Sequence, residues 1–360
     1  YVMVKKWSVG WGVEEKCNMR CEFCYSKEVR KNISKMGIKT YTDFIDNNHE
    51  FISSINYGTG ENSLSATWFE LVKYIGENYP NIKQALTTNG HISKACLNTH
   101  NLDTFVKYID EIDVSLDFSS KERHNRFRGS SEAYDMALST LQLCKSYDKK
   151  TTIVFLGTNE VVKPDNLAGI FEIANNFNSY LRTNIYRPTQ GINEISRSFI
   201  LDYSNLINML QWVSQRHKII KVSDQLLSAF LFKKEVIDLS GFSSLRILGD
   251  GSITPSTYLI SEKYRKYNIK TEGLNLLNVN FSDIIIPECI PSSCVECPHV
   301  GLCKGGVFDR RILWYGILSE RDPYCPLRYP EIDYDGIKLI EDSNFSSIHD
   351  SYLPTIFFAV

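Results

Sequence analysis

The chain has 360 residues, with 40 Lys and Arg against 42 Asp and Glu and a formal net charge of -2 at neutral pH. That balance lacks the basic excess of a nucleic-acid or anionic-membrane binder, and no apolar run reaches the roughly 18 residues needed to span a bilayer. Ten cysteines do not mark a disulfide scaffold in a chain this long and this rich in ordinary core residues, so their clustering points to metal in a cytoplasmic protein. Tyr1 to Lys6 lacks the layout of a signal peptide, and the missing initiator Met suggests that a few native residues precede it.

Strand-like runs at Trp7–Val13, Phe51–Tyr57, Ile82–Thr87, Ile112–Leu116, Thr151–Leu156 and Leu181–Tyr186 alternate with segments of helical apolar spacing. Examples of the latter are Thr67–Glu77, Leu102–Ile109, Ala133–Lys145 and Pro164–Asn176. Six such units predict an α/β fold in which a parallel sheet, with helices outside, curves into a partial (β/α)6 TIM-like barrel. Functional groups in such sheets sit on loops at the carboxyl ends of the strands. A cysteine loop follows the first strand, Gly58-Thr59-Gly60-Glu61 the second, Thr88-Asn89-Gly90 the third and Asp117 the fourth. A helical stretch, Tyr203–His217, leads to a segment rich in turns, short strands and cysteine. The expected division is a barrel over 1–200, a helical linker over 201–241, a second domain over 242–330 and a tail over 331–360 without chemical signal.

The first cysteine cluster is Cys17-Asn18-Met19-Arg20-Cys21-Glu22-Phe23-Cys24-Tyr25. A [4Fe–4S] cube takes four ligands, so three thiolates from one loop leave an iron open to a small chelator; half of a zinc site is the plainer alternative. With Phe23 before the third cysteine and Tyr25 after it, the segment resembles the radical S-adenosylmethionine (SAM) superfamily. The resemblance implies that Cys17, Cys21 and Cys24 hold a [4Fe–4S] cluster whose open iron chelates SAM, and that SAM is cleaved to a 5′-deoxyadenosyl radical. It places Phe23 near the adenine.

The same resemblance assigns the other strand ends. Gly58, Thr59, Gly60 and Glu61 stand where the family has a Gly-Gly-Glu-Pro segment that receives SAM's ammonium, with Thr59 in place of the second Gly and Asn62 in place of Pro. Asn89 belongs to the same set of strand ends. Ser115 and Asp117 are expected at the ribose hydroxyls, Arg128 at the carboxylate, and Ile185 and Tyr186 at the adenine. From the residues alone, Gly58–Glu61 is equally a turn before a helix, Arg128 a solvated charge and His124 a packed histidine. No catalytic acid or base is identifiable.

Cys294, Cys297, Cys303 and Cys325 offer four more thiolates, enough for a closed [4Fe–4S] or zinc site. Their spacing resembles the SPASM/twitch-like extension of radical SAM peptide-modifying enzymes, which in full form holds two auxiliary clusters. The outer set is complete, whereas Ser256 and Val307 stand where the inner set requires cysteine. One auxiliary [4Fe–4S] cluster is therefore expected. Cys289 is left unassigned, and Cys96 and Cys144 are expected in the core.

SPASM-type enzymes mostly act on ribosomally made precursor peptides. Trp7-Ser8-Val9-Gly10-Trp11-Gly12 and Tyr57–Asn62 are similar to the peptide spliceases, which excise tyramine at a Tyr-Gly site and leave an α-keto-β-amino acid. Many such enzymes carry a leader-recognition domain before the cluster motif, which here begins at residue 17, so a leader peptide is expected to be bound by a small partner protein or by the C-terminal domain. A flavodoxin or ferredoxin-type electron donor is expected too. Thioether or carbon–carbon crosslinking, sulfatase-type maturation and a non-catalytic iron–sulfur redox protein are the alternatives.

Overall fold

The computed structural model describes residues 5–27, 29–31, 36–285 and 290–360. Cys289 lies outside the described residues. The six expected strands form within two residues of their expected bounds: β1 (Trp7–Trp11), β2 (Ile52–Tyr57), β3 (Lys83–Thr88), β4 (Glu111–Ser115), β5 (Lys150–Gly157) and β6 (Tyr180–Ile185). They pair in parallel in chain order. Helices Ala66–Asn78, Thr99–Tyr108, Ala133–Ser146 and Pro164–Asn176 make four of the crossovers. Local chemistry sets their starts: the Ser65 hydroxyl accepts from Trp68 N, Asn98 Oδ1 accepts from His100 N, and Pro164 needs no donor in the first turn. Their apolar stripes pack on the sheet in one main core.

The sheet is an α/β partial barrel, and the strand period of two divides its faces. On β4, Ile112 and Val114 alternate with Asp113 and Ser115; on β6, Leu181 and Ile185 alternate with Arg182 and Asn184. The polar members of these pairs supply the lumen.

The remaining chain completes the same sheet. Segment 201–241 holds, besides helices Tyr203–Arg216 and Gln225–Phe232, the strand β7 (Lys218–Val222). β8 (Ser244–Ile247) lies parallel to β1, and β9 (Ser252–Thr254) and β10 (Tyr267–Asn268) extend that edge antiparallel. The segment expected as a tail ends in β11 (Ile356–Ala359), antiparallel between β6 and β7. The order is therefore β10-β9-β8-β1-β2-β3-β4-β5-β6-β11-β7. Phe357 and Phe358 are wholly buried, so the last strand is core. A four-residue apolar run has no period of its own, and only its partner strands make it a strand. Among the described residues no helix is long and apolar enough to cross a membrane.

Candidate active site

The carboxyl ends of β1 to β6 surround a cavity of about 1170 Å³ of empty space, counting its solvent-open mouth. Cys17, Cys21 and Cys24 line it, as do Phe23, Tyr25, Gly58, Thr59, Gly60, Asn89, Ser115, Arg128, Ile185 and Tyr186. Ten of the twelve residues expected at the cofactor thus meet in one place.

The cysteine loop is fixed from two sides. Glu61 N donates to Lys16 O at 2.7 Å, and a Cβ on Gly60 would lie 2.6 Å from Lys16 O, so only glycine permits this approach. Gly60 also has φ +62°, and Thr59, in the position the family gives to glycine, has φ +81°. A β-branched residue there carries strain of about 1–3 kcal/mol. On the other side, the Arg128 carbonyl accepts from Arg20 N at 3.2 Å and from Cys21 Sγ at 3.4 Å. Gly129, at φ +62°, ends the helix Lys121–Arg128 against Arg20.

Two of the twelve, Glu61 and Asp117, are not among the residues that line the cavity. Glu61 does not face the cavity: its buried carboxylate accepts from Ser63 Oγ at 2.6 Å, Thr88 Oγ1 at 3.0 Å and Asn89 N at 2.7 Å. Burial nevertheless holds its pKa above the usual carboxylate range. Asp117 likewise turns inward, accepting from Arg128 Nε at 2.6 Å and Leu156 N at 2.9 Å. Both carboxylates are fully used in joining strand ends, so they act on the cavity through Asn89 and Arg128. His124 is the packed histidine, its Nδ1 accepting from Asp117 N at 3.2 Å.

The thiols suit an iron–sulfur cluster. Asn89 Nδ2 donates to Cys17 Sγ at 3.5 Å and Arg30 Nη2 to Cys24 Sγ at 3.6 Å, bonds that favour thiolates. Against this, burial pushes Cys21 up to about 12 and raises Cys17, so bound iron would have to displace their protons. Among the described residues no three His, Cys, Asp or Glu side chains gather around a single metal ion. A [4Fe–4S] cube takes each thiolate on a different iron, so its sulfurs stand apart.

At the far end, Cys294, Cys303 and Cys325 are buried and Cys297 is half-buried. Burial, opposed by a backbone hydrogen bond from Gly305 and added to by the charges of Cys294, Cys297 and Cys325, pushes the Cys303 thiol up to about 11. At the positions of the inner set, the Ser256 hydroxyl donates to Asp309 at 2.7 Å, and Val307 is buried with its N–H on Asp322. Cys96 and Cys144 are core residues as expected.

Several cavity residues were not foreseen: Asn56, Thr87, Arg182, Asn184, Arg187, Arg246, Tyr258, His349 and Tyr352. Arg182 and Arg246 had a signal, a charge within a strand-like run, in Arg246 between two apolar neighbours. His349 and Tyr352 had none, because they come from the supposed tail. His349 Nδ1 lies 2.8 Å from Asp113 Oδ2, which also receives Arg182 Nη2 at 2.7 Å. Burial would raise Asp113, but Arg182 and His349 outweigh it and hold the carboxyl at about 2.

The profile of the radical SAM superfamily matches residues 14–164. Mycofactocin maturase MftC of Mycobacterium tuberculosis is 20% identical, covering 88% of this chain and 81% of its own. Fe-coproporphyrin III synthase of Methanosarcina barkeri is 22% identical, covering 92% and 90%. Among solved structures, anSMEcpe with bound AdoMet and the Kp18Cys peptide superposes with TM-score 0.71 at 19% identity, over 91% of this chain and 95% of that one. Streptococcus suis SuiB bound to precursor peptide SuiA gives TM-score 0.67 at 16% identity, over 89% and 76%. The structural likenesses show a shared fold, and residues 14–164, which hold Cys17, Cys21 and Cys24, carry the sequence match to the radical SAM superfamily.

Proposed function

We propose that the chain is a radical SAM maturase of a ribosomally made precursor peptide, and that its reaction is excision of tyramine at a Tyr-Gly site to leave an α-keto-β-amino acid. The observation that carries the reading is one cavity lined together by the cysteine loop, the Gly58–Gly60 turn, Arg246 of β8, Tyr258 and Tyr352. When bound, the cluster and SAM supply a 5′-deoxyadenosyl radical for hydrogen abstraction. Cys17, Cys21 and Cys24 would hold the cluster, while Phe23, Tyr25, Ser115, Ile185 and Tyr186 would wall the nucleoside. Arg128, held by Asp117, would meet a carboxylate, and Asn89 and Arg30 would orient the thiolates. Phe23 stacks on Phe127 at 4.3 Å and meets Phe199 at 5.8 Å, so this wall excludes water.

We assign one auxiliary [4Fe–4S] cluster to Cys294, Cys297, Cys303 and Cys325 within a second domain over 242–330, beside a barrel over 1–200. A small leader-binding protein and a flavodoxin or ferredoxin complete the system, in the cytoplasm. MftC by its name, and SuiB by its bound SuiA, are relatives concerned with peptide or maturation chemistry, which favours a peptide over the porphyrin named for the Methanosarcina barkeri relative.

The test is anaerobic incubation of the reconstituted enzyme with SAM, reductant and the precursor encoded beside it. A product lighter by the tyramine unit supports splicing, and one lighter by two hydrogens replaces it with crosslinking. An unchanged peptide with no 5′-deoxyadenosine overturns both.

A further inference from the structure

Five guanidinium groups line the cavity: Arg30, Arg128, Arg182, Arg187 and Arg246. Three are matched by a carboxylate. Arg128 meets Asp117 at 2.6 Å, Arg182 meets Asp113 at 2.7 Å and Arg187 meets Asp309 at 2.9 Å. Arg30 faces the Cys24 sulfur. Arg246 alone of the five has neither: among the described residues no carboxylate comes within ion-pair distance, although its side chain is buried to 1% exposure.

Its neighbours are neutral. Nη1 donates to the Tyr352 hydroxyl at 3.1 Å, Nη2 donates to the Gly58 carbonyl, and Nε has no acceptor. Glu15, whose charge reaches Arg246, accepts instead from Gly249 N at 2.8 Å. A buried charge without a counter-charge is costly and persists where a ligand supplies one. Its place fits that purpose. β8 presents Arg246 across β1 to the Gly58 turn, in the wall that also holds Tyr25 and Tyr258.

We propose that Arg246 is the receptor for a carboxylate that enters the cavity on a ligand. A single unmatched positive charge calls for a monoanion, and a guanidinium edge takes a carboxylate in two parallel hydrogen bonds. Two sources share this chemistry: an acidic side chain or chain end of the peptide, and the methionyl carboxylate of SAM, which would otherwise fall to Arg128, already paired with Asp117. The proposal rests on the cavity being the SAM and peptide site.

The experiment compares wild-type and Arg246→Gln holoenzyme of matched iron content. One arm measures binding of SAM against decarboxylated SAM. The other measures retention, on SAM-loaded enzyme, of a random hexapeptide library containing Asp, Glu and a free C terminus against its Asn, Gln and amidated counterpart. Wild type should favour the carboxylate form in one arm by about tenfold more than Arg246→Gln does, and that arm names the source. Preferences equal within about twofold in both arms overturn the proposal. A wild type that prefers the carboxylate form in neither arm does so as well, without need of a variant that folds. Arg246→Lys, which keeps the charge, should restore part of the preference. Failure of the underlying reading is separate: it would show as wild-type enzyme that makes no 5′-deoxyadenosine.

Discussion

Gly10→Ala tests whether Tyr352, from the far end of the chain, is built into the barrel. A Cβ on Gly10 would lie 2.7 Å from Tyr352 Cε2, with the hydroxyl nearer still, against the 3.4–4 Å of ordinary contact. Gly10 is paired on both sides, to Asn56 and Arg246, so the strand cannot retreat and the ring must. Tyr352 is 3% exposed, and turning its ring into the cavity that it lines would break its bond to Arg246. Overpacking of this kind costs about 1–3 kcal/mol and the lost bond to a charged group about 1.5–3, for a total of about 2.5–6 kcal/mol. The assay is anaerobic urea unfolding of the reconstituted protein in a double-mutant cycle with Tyr352→Ala. With the ring removed, Gly10→Ala should cost less than about 1 kcal/mol. A cost that is the same in both backgrounds would refute the reasoning.

Asp117→Ala leaves the Arg128 guanidinium buried without its partner, so a loss of about 3–5 kcal/mol in denaturant unfolding is expected, together with reduced iron retention as Arg128 releases Cys21 and Arg20. Thr59→Gly should be more stable than Thr59→Ala by about 1 kcal/mol, because both lose the Tyr25 bond but only glycine relieves φ +81°. Equal midpoints would argue against strain there. Burial, with Arg128 adding to it against Asp117, lowers His124 to about 4, so the unfolded chain takes up a proton that the folded one refuses. Stability should therefore fall from about pH 6.5 toward 4, and His124→Gln should remove about one proton from that slope in urea midpoints measured against pH. Cys303→Ala should lower iron from about eight to about four per chain while SAM cleavage is still detectable by 5′-deoxyadenosine; unchanged iron would remove Cys303 from the ligands.

Much of the barrel was legible because its strands and helices carry their own periods. Pro164–Asn176 formed over the expected residues, and each motif fell at the strand end that the βα alternation assigns it. The limits were also physical. Glu61 and Asp117 sit in motifs that mark a ligand site, yet sequence cannot show that a carboxylate's lone pairs are already taken by Thr88, Asn89, Arg128 and Leu156. The segment 201–241 looked like a linker because Lys218–Val222 is a short run whose partner strand lies more than a hundred residues later.

By itself the sequence determined the six-unit barrel and the loop with Cys17, Cys21 and Cys24, because spacing within a few residues is local information. It also showed the spacing of Cys294, Cys297, Cys303 and Cys325, and that Ser256 and Val307 stand where two further cysteines would be expected. Tertiary structure decided what the cavity is made of. It brought Arg246 from β8 to the Gly58 carbonyl and His349 and Tyr352 from the chain's end into the same cavity, and it matched three of the five cavity arginines with an aspartate, set Arg30 on Cys24 and left Arg246 without a carboxylate. Pairing across two or three hundred residues depends on how the sheet closes, and no local pattern encodes that closure.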